Sequence, residues 1–272
     1  MPRKSLVNMI KAAQTEDIAE KFKEDWIYTN EHSTEAYESS RTLSPSSMQC
    51  ARMMACKFLG VQKDETKTSH TLNTICYIGT EVHEYIQKNC LNMKKFEYVD
   101  VAKYVADNNI DLEVGKKSNF DEGVYETHLY KLDKNGRKIV SFLCDGIIRD
   151  KESGRYYILE IKTTGAGGFF RQDGVLLKHY AQGTAYSILL GIPTVLFFYI
   201  CRDIPNIKTF SFTPTKEDKQ ALIDMCKEVI EKADNNLVVA KPFTNNKVCA
   251  YCNYKSFCRD IGEGEHEYKP KE

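Results

Sequence analysis

The order of apolar and polar positions divides the chain into a helical front, a strand-rich middle and a short polar tail. Residues 6–28 place Val7, Ile10, Ala13, Ile18 and Phe22 on one broad face at helical spacing, which predicts an amphipathic helix. The polar stretch 30–41 predicts a loop. Ser44-Pro45 then supplies an N-cap followed by proline in the first helical position, where a missing N–H costs nothing. The helix it opens carries Cys50, Met53, Met54 and Phe58 and stops near Gly60. A polar linker over 63–70 leads to a third helix over 72–91, which carries His83.

The period changes beyond that helix. Strands are predicted over 123–132, 138–149 and 155–162, joined by turns at Asp133-Lys134-Asn135-Gly136 and Lys151-Glu152-Ser153-Gly154. Gly165-Ala166-Gly167-Gly168 predicts a flexible loop. A helix over 175–190, strands over 194–202 and 208–213, and a helix from Pro214 to about 234 follow. There is no internal repeat. This succession predicts an α/β sandwich, with a mixed central sheet flanked by helices.

Composition adds limits. The chain has 272 residues and a formal net charge of zero, so no global basic field points to nucleic acid and any such contact must use local patches. The longest apolar run, 188–201, is too short to span a bilayer and is broken by Gly191-Ile192-Pro193. No apolar signal core follows the N-terminal Met1-Pro2-Arg3-Lys4, so a cytoplasmic protein without membrane attachment is expected. In that compartment the ten cysteines do not form a disulfide framework. Cys56, Cys76, Cys90, Cys144, Cys201 and Cys226 are expected as buried small apolar side chains.

The chemistry concentrates on one strand. In Tyr156-Tyr157-Ile158-Leu159-Glu160-Ile161-Lys162, Glu160 and Lys162 project from the same face. Asp145 lies one hairpin earlier, in Leu143-Cys144-Asp145-Gly146-Ile147-Ile148. Two hard carboxylates beside an ammonium group suit a divalent cation and phosphodiester hydrolysis. A surface Glu/Lys pair on an exposed strand face is the bland reading of the same residues.

The arrangement Asp145 … Glu160-x-Lys162 resembles the PD-(D/E)XK (restriction-endonuclease-like) nuclease superfamily. Gly79-Thr80-Glu81-Val82-His83 resembles the Gly-x-x-x-His element of its RecB-like exonuclease branch, and Gln182-Gly183-Thr184-Ala185-Tyr186 resembles the Gln-x-x-x-Tyr motif after the lysine. The four elements occur in the family's order, and the resemblance covers roughly residues 44–258. It implies that His83, Asp145, Glu160 and the carbonyl of Ile161 hold Mg²⁺ or Mn²⁺, the histidine favouring Mn²⁺. It further implies that Lys162 assists the attacking water and that Gln182 and Tyr186 contact DNA. Glu126 is a possible outer acid or an exposed strand residue.

Four further cysteines form a separate signal. Cys249, Cys252 and Cys258 have C-x₂-C-x₅-C spacing, and three thiols this close rarely occur for packing reasons. Cys50 is the candidate fourth ligand, with Cys56 competing. The context of Cys50 resembles the first cluster cysteine of iron–sulfur nucleases of the Cas-four and AddB types, which implies a structural [4Fe–4S] cluster. Zinc is the alternative for the same donors. Such a centre would staple segments about 200 residues apart, where loop-closure entropy makes a crosslink most useful.

Three regions follow: 1–70, helical and contributing one cluster cysteine; 71–235, the RecB-like core; and 236–272, the cysteine-rich segment and tail. The basic hairpin Lys131, Lys134, Arg137 and Lys138, with Lys116-Lys117 nearby in sequence, is a candidate phosphate contact. Phe169 and Phe170 are candidates for stacking on bases or for burial. The resemblance implies a DNA exonuclease acting on single strands or ends, alone or with recombination, repair, phage or CRISPR-adaptation proteins. Two readings of other classes stand beside it: a non-catalytic DNA-end-binding subunit, and a redox or metal sensor centred on the cysteines. Oligomeric state is not legible.

Overall fold

In the computed structural model, which describes residues 16–32, 40–64, 69–117, 127–242, 246–250 and 252–269, the first helix, α1, spans Glu16–His32. It runs past the predicted end at 28, and Glu31 Oε1 accepts the backbone N–H of His70 at 3.0 Å. Residues 6–15 of the predicted helix lie outside the described residues. Ser44 and Pro45 do open a helical turn, but it is a short 3₁₀ turn, Pro45–Ser47. The following helix, α2 (Ala51–Leu59), is separate and has Cys50 as its N-cap. Cys50 therefore stands at the start of α2 rather than within a longer helix. Gly60 ends α2 with φ 73°, a left-handed conformation open to glycine because it lacks a Cβ.

Helix α3 spans His70–Cys90. The next three elements were not announced by the apolar pattern: β1 (Phe96–Val99), α4 (Val101–Asp107) and β2 (Glu113–Lys117). After them come β3 (Thr127–Leu132), β4 (Lys138–Cys144), β5 (Gly146–Asp150) and β6 (Tyr156–Thr164). The first residues of the predicted strand 123–132, with Glu126, lie outside the described residues. The single strand expected over 138–149 is broken at Asp145, because β4 and β5 belong to different sheets.

The glycine-rich segment expected as a flexible loop contains a helix, α5 (Ala166–Phe170). Tertiary bonds hold it: Asp203 accepts the Ala166 N–H at 2.6 Å, and Lys208 Nζ donates to the carbonyls of Phe169 and Gln172 at 2.8 and 2.7 Å. Helix α6 (Leu177–Leu190), strands β7 (Val195–Cys201) and β8 (Ile207–Phe212) and helix α7 (Lys216–Asp234) match expectation closely. Thr215 caps α7, its hydroxyl accepting the Asp218 N–H at 3.0 Å. The C-terminal part holds β9 (Leu237–Val238), α8 (Asn246–Ala250), α9 (Lys255–Asp260) and β10 (His266–Glu267).

The main sheet has the order β1-β5-β6-β7-β8, with β6 and β7 parallel and the other pairs antiparallel. Strands β2, β3 and β4 form an antiparallel sheet of their own, and β9 pairs with β10. Strand β6 is buried from Ile158 to Ile161. Ile158 faces a large core shared with Tyr186 and Leu190 of α6, whereas Leu159 and Ile161 pack with Ile86 and Cys90 of α3. The chain is thus mixed α/β, with a central mixed sheet between helices.

It divides into two compact units, residues 39–66 with 79–272, and residues 1–38 with 67–78. In the smaller unit Asn73 Nδ2 donates to the carbonyl of Asn30 at 3.0 Å. Among the described residues no helix is long and apolar enough to cross a membrane. No disulfide forms among them. Cys56, Cys90, Cys144 and Cys201 are buried as expected, Cys226 is half-buried, and Cys76 is exposed against expectation.

Candidate active site

The break between β4 and β5 sets Asp145 beside β6. Asp145 Oδ2 accepts the backbone N–H of Ile161 at 2.6 Å. Glu160 and Lys162 project from one face of β6, as period-two alternation requires, and the Lys162 ammonium donates to Glu160 Oε1. Asp145 is 7 % exposed and Glu160 1 %. This pair is therefore no surface ornament of an exposed strand. His83 reaches in from α3, its Nδ1 3.5 Å from Asp145 Oδ1.

A layer of buried donors holds these acids. Gln182 Nε2 donates to Glu160 Oε1 at 2.7 Å and to Tyr186 Oη at 3.0 Å, and Tyr186 Oη donates to the carbonyl of Leu143 at 2.8 Å. Both side chains are buried. The pair expected to face DNA instead faces Glu160 and the end of β4, because α6 packs flat against β6 and β7. On the other side Gln87 Nε2 and Tyr98 Oη each donate to the carbonyl of Asp145 at 2.7 Å. Sequence reasoning missed Gln87 and Tyr98. Gln87 lies four residues after His83, one helical turn along the same face, and that spacing was a usable signal. A buried His179–Tyr199 pair, 2.8 Å apart, also lies near Lys162; it too was missed.

Burial, followed by the neighbouring charge of Asp145, raises the Glu160 carboxyl to about 8. Burial also pushes Asp145 upward, but the hydrogen bond from His83, the charges of His83 and Lys162 and the Ile161 N–H hold it below the ordinary range. Two carboxylates this close do not both ionise easily, so the extra proton resides on Glu160. Burial works against the Lys162 ammonium, yet Glu160 and Asp145 raise its pKa overall.

Among the described residues, no three His, Cys, Asp or Glu side chains stand as a ready ligand group. The chemistry of the acid site nonetheless fits a hard cation. Glu160 Oε2 is buried and accepts no hydrogen bond among the described residues, and a buried polar atom of this kind is rare without a partner. Asp145, Glu160 and His83 are the donors that could supply such an ion. Of Ile161, the structure shows the backbone N–H committed to Asp145.

The cysteines gather elsewhere in the larger unit. Cys50, Cys56, Cys249, Cys252 and Cys258 line one cavity of about 590 Å³ together with Arg52. Burial pushes the Cys50 thiol up, and the backbone N–H groups of Met53 and Arg52 at the start of α2 work against that. Burial likewise raises Cys252, opposed by the N–H of Tyr254. Cys56 is fully buried, and its thiol is pushed up to about 12. Five thiols around one cavity, with a guanidinium donating to Cys258 Sγ at 3.7 Å, match the donor chemistry of a thiolate metal centre.

Three of the four basic side chains of the hairpin are held in exposed or half-exposed ion pairs. Lys131 pairs with Asp111, Arg137 with Asp133 and Asp234, and Lys138 with Glu113. Lys134 is exposed, and the side chains of Lys116 and Lys117 lie outside the described residues. The aromatic pair splits: Phe169 is buried in the main core and Phe170 is exposed.

No protein-family model matches the chain, and no curated protein matches its sequence. Several solved structures are similar to it. SSO0001 aligns over 89% of this chain and 96% of its own, with a TM-score of 0.42 and 16% identity. The alkaline exonuclease LHK-Exo from Laribacter hongkongensis aligns over 78% of this chain and 93% of its own, with a TM-score of 0.41 and 11% identity. The same exonuclease in complex with dAMP gives a TM-score of 0.41 and 12% identity over the same shares.

Proposed function

We propose that this chain is a metal-dependent nuclease that hydrolyses DNA phosphodiester bonds, acting as an exonuclease on single strands or ends. One observation carries the reading: two buried carboxylates, Asp145 at the break between β4 and β5 and Glu160 on β6, one of them with an unsatisfied oxygen, lie beside the Lys162 ammonium. His83, Asp145 and Glu160 would hold Mg²⁺ or Mn²⁺, with the Ile161 carbonyl as a further donor. Such an ion, when bound, would supply Lewis-acid polarisation of the scissile phosphate and ease the deprotonation of water. Lys162 would donate toward the attacking water or the phosphate oxygens, where negative charge builds. Gln182, anchored by Tyr186, fixes the carboxylate of Glu160, while Gln87 and Tyr98 fix the backbone of Asp145. In this reading Gln182 and Tyr186 act on DNA through Glu160.

The cysteine centre is a second part of the proposal. Cys50, Cys249, Cys252 and Cys258 would hold a structural [4Fe–4S] cluster, with zinc as the other occupant of the same thiolates. The backbone N–H groups at the start of α2 favour Cys50 over Cys56 as the fourth ligand.

Cleavage of end-labelled single-stranded DNA in the presence of Mn²⁺ tests the nuclease reading. It predicts that chelation and Glu160→Gln each abolish cleavage. A rate undiminished in Glu160→Gln would remove the assignment.

A further inference from the structure

Arg52 is a unit charge buried to 1 % exposure, one of the largest fully buried side chains in the protein. All five of its donor hydrogens have acceptors. Nε donates to the carbonyl of Val239 at 2.9 Å. Nη2 donates to the carbonyls of Glu263 at 2.9 Å and Gly264 at 2.5 Å. Nη1 donates to the carbonyl of Gly262 and, at 3.7 Å, to Cys258 Sγ. Among the described residues none of these acceptors is a carboxylate. Four carbonyl dipoles satisfy the donors, but they cannot neutralise the charge. Arginine does not escape by losing its proton, and an uncompensated buried cation is strongly unfavourable. Of the five acceptors, Cys258 Sγ is the one that can carry a full negative charge.

A set of thiolates around a metal supplies it. Four thiolates leave a net negative centre, whether they hold a [4Fe–4S] cluster or zinc. We propose that Arg52 is the built-in counter-cation of the cysteine centre; the inference rests on the proposed metal–thiolate reading of these cysteines. Two consequences follow. A cation beside a ligand sulfur stabilises the more negative, reduced state of an iron–sulfur cluster and raises its reduction potential. The same guanidinium grips the carbonyls of Val239 and of Gly262 to Gly264, so charge balance at the centre and fastening of the C-terminal segment are one event. Loss of metal leaves Arg52 uncompensated and loosens its hold on Val239 and on Gly262 to Gly264. Arg52 is a positioning residue in this scheme.

The test uses the full-length protein purified anaerobically as wild type, Arg52→Gln and Arg52→Lys. Iron, sulfide and zinc contents are read first, then the midpoint potential of the centre by a redox titration followed by electron paramagnetic resonance. The expected result is a lower potential in Arg52→Gln, a value near wild type in Arg52→Lys, and earlier proteolysis near Val239 and Gly262 to Gly264 in the glutamine variant. If wild type carries zinc, release to a colorimetric chelator replaces the potential. Arg52→Gln should then lose zinc about tenfold faster or more, and Arg52→Lys should stay near wild type. If Arg52→Gln fails to fold, Arg52→Lys decides alone: a retained centre supports the charge role, and a lost one overturns it. A fully loaded Arg52→Gln with wild-type potential or release rate also overturns it. Wild type without any metal refutes the cysteine reading itself and the counter-cation with it, an outcome that the metal analysis separates from the others.

Discussion

Gln182 on α6 donates its amide N–H to Glu160 on β6 at 2.7 Å, across the buried face of the sheet. The contact fixes one oxygen of an acid whose other oxygen accepts no hydrogen bond among the described residues. Gln182→Ala should therefore reduce cleavage by about 10–100-fold while the fold persists, as loss of the group that orients a metal-binding carboxylate does. Gln182→Glu should be more damaging, because it adds a third carboxyl to a site that already raises Glu160 to about 8. Steady-state cleavage rates and circular dichroism of the two variants check this. Alanine activity equal to wild type would separate the contact from function.

The two buried titrating groups give opposite pH signatures in metal-free protein. Glu160 has a folded pKa of about 8 against an ordinary 4.5, so the folded chain holds a proton that the unfolded chain has released. Its contribution to stability is full below about 4.5 and declines as pH rises toward about 8. Burial lowers His179 from 6.5 to about 3, so its contribution is full above 6.5 and is lost as pH falls toward 3. Urea titrations should show Glu160→Gln flattening the decline as pH rises from about 4.5 to about 8, and His179→Gln flattening the decline as pH falls from 6.5 to about 3. Unchanged slopes would mean that these groups are not buried as described.

Helix α6 approaches the sheet at Gly183, where an added Cβ would lie 2.8 Å from the Phe212 ring and 3.3 Å from Phe197. Alanine improves helix propensity by about 1 kcal/mol, but overpacking costs about 1–3 kcal/mol. Gly183→Ala should thus lower the denaturation midpoint and, by moving Gln182 away from Glu160, lower activity more than stability. A raised midpoint would show that the helix can back away at no cost.

The cysteines allow a clean comparison. Cys50→Ser should lose the metal and become poorly soluble, whereas Cys56→Ser should keep wild-type metal content, since Cys56 is a fully buried thiol held up to about 12. Metal per chain, by elemental analysis of both variants, decides which thiol is the ligand. The reverse result would exchange their roles.

How much of this was legible in the sequence depends on the range of the forces involved. The shared face of Glu160 and Lys162 follows from strand alternation alone, and it is present in the structure. The caps at Gly60 and Thr215 are local and were legible to within a residue or two. The break at Asp145 was not, because it depends on β4 and β5 joining different sheets, and Gly146 looked like the interior of one strand. Its reason is distant: a Cβ there would meet the Tyr98 ring at 2.6 Å. Strand β1 is short and takes its form from pairing with β5, fifty residues on, so no local pattern marked it. Gln182 and Tyr186 were found as a pair, but their direction, inward to Glu160, is set by packing rather than by spacing.

The most direct test of the nuclease proposal is a cleavage time course on end-labelled single- and double-stranded DNA with Mn²⁺, comparing anaerobically purified wild type with Lys162→Ala. Cleavage by wild type that falls by about a hundredfold or more in Lys162→Ala, with DNA binding retained, is the predicted result. Equal silence from both proteins, with the cysteine centre loaded and DNA ends bound, would contradict it and leave a binding subunit built on the same site.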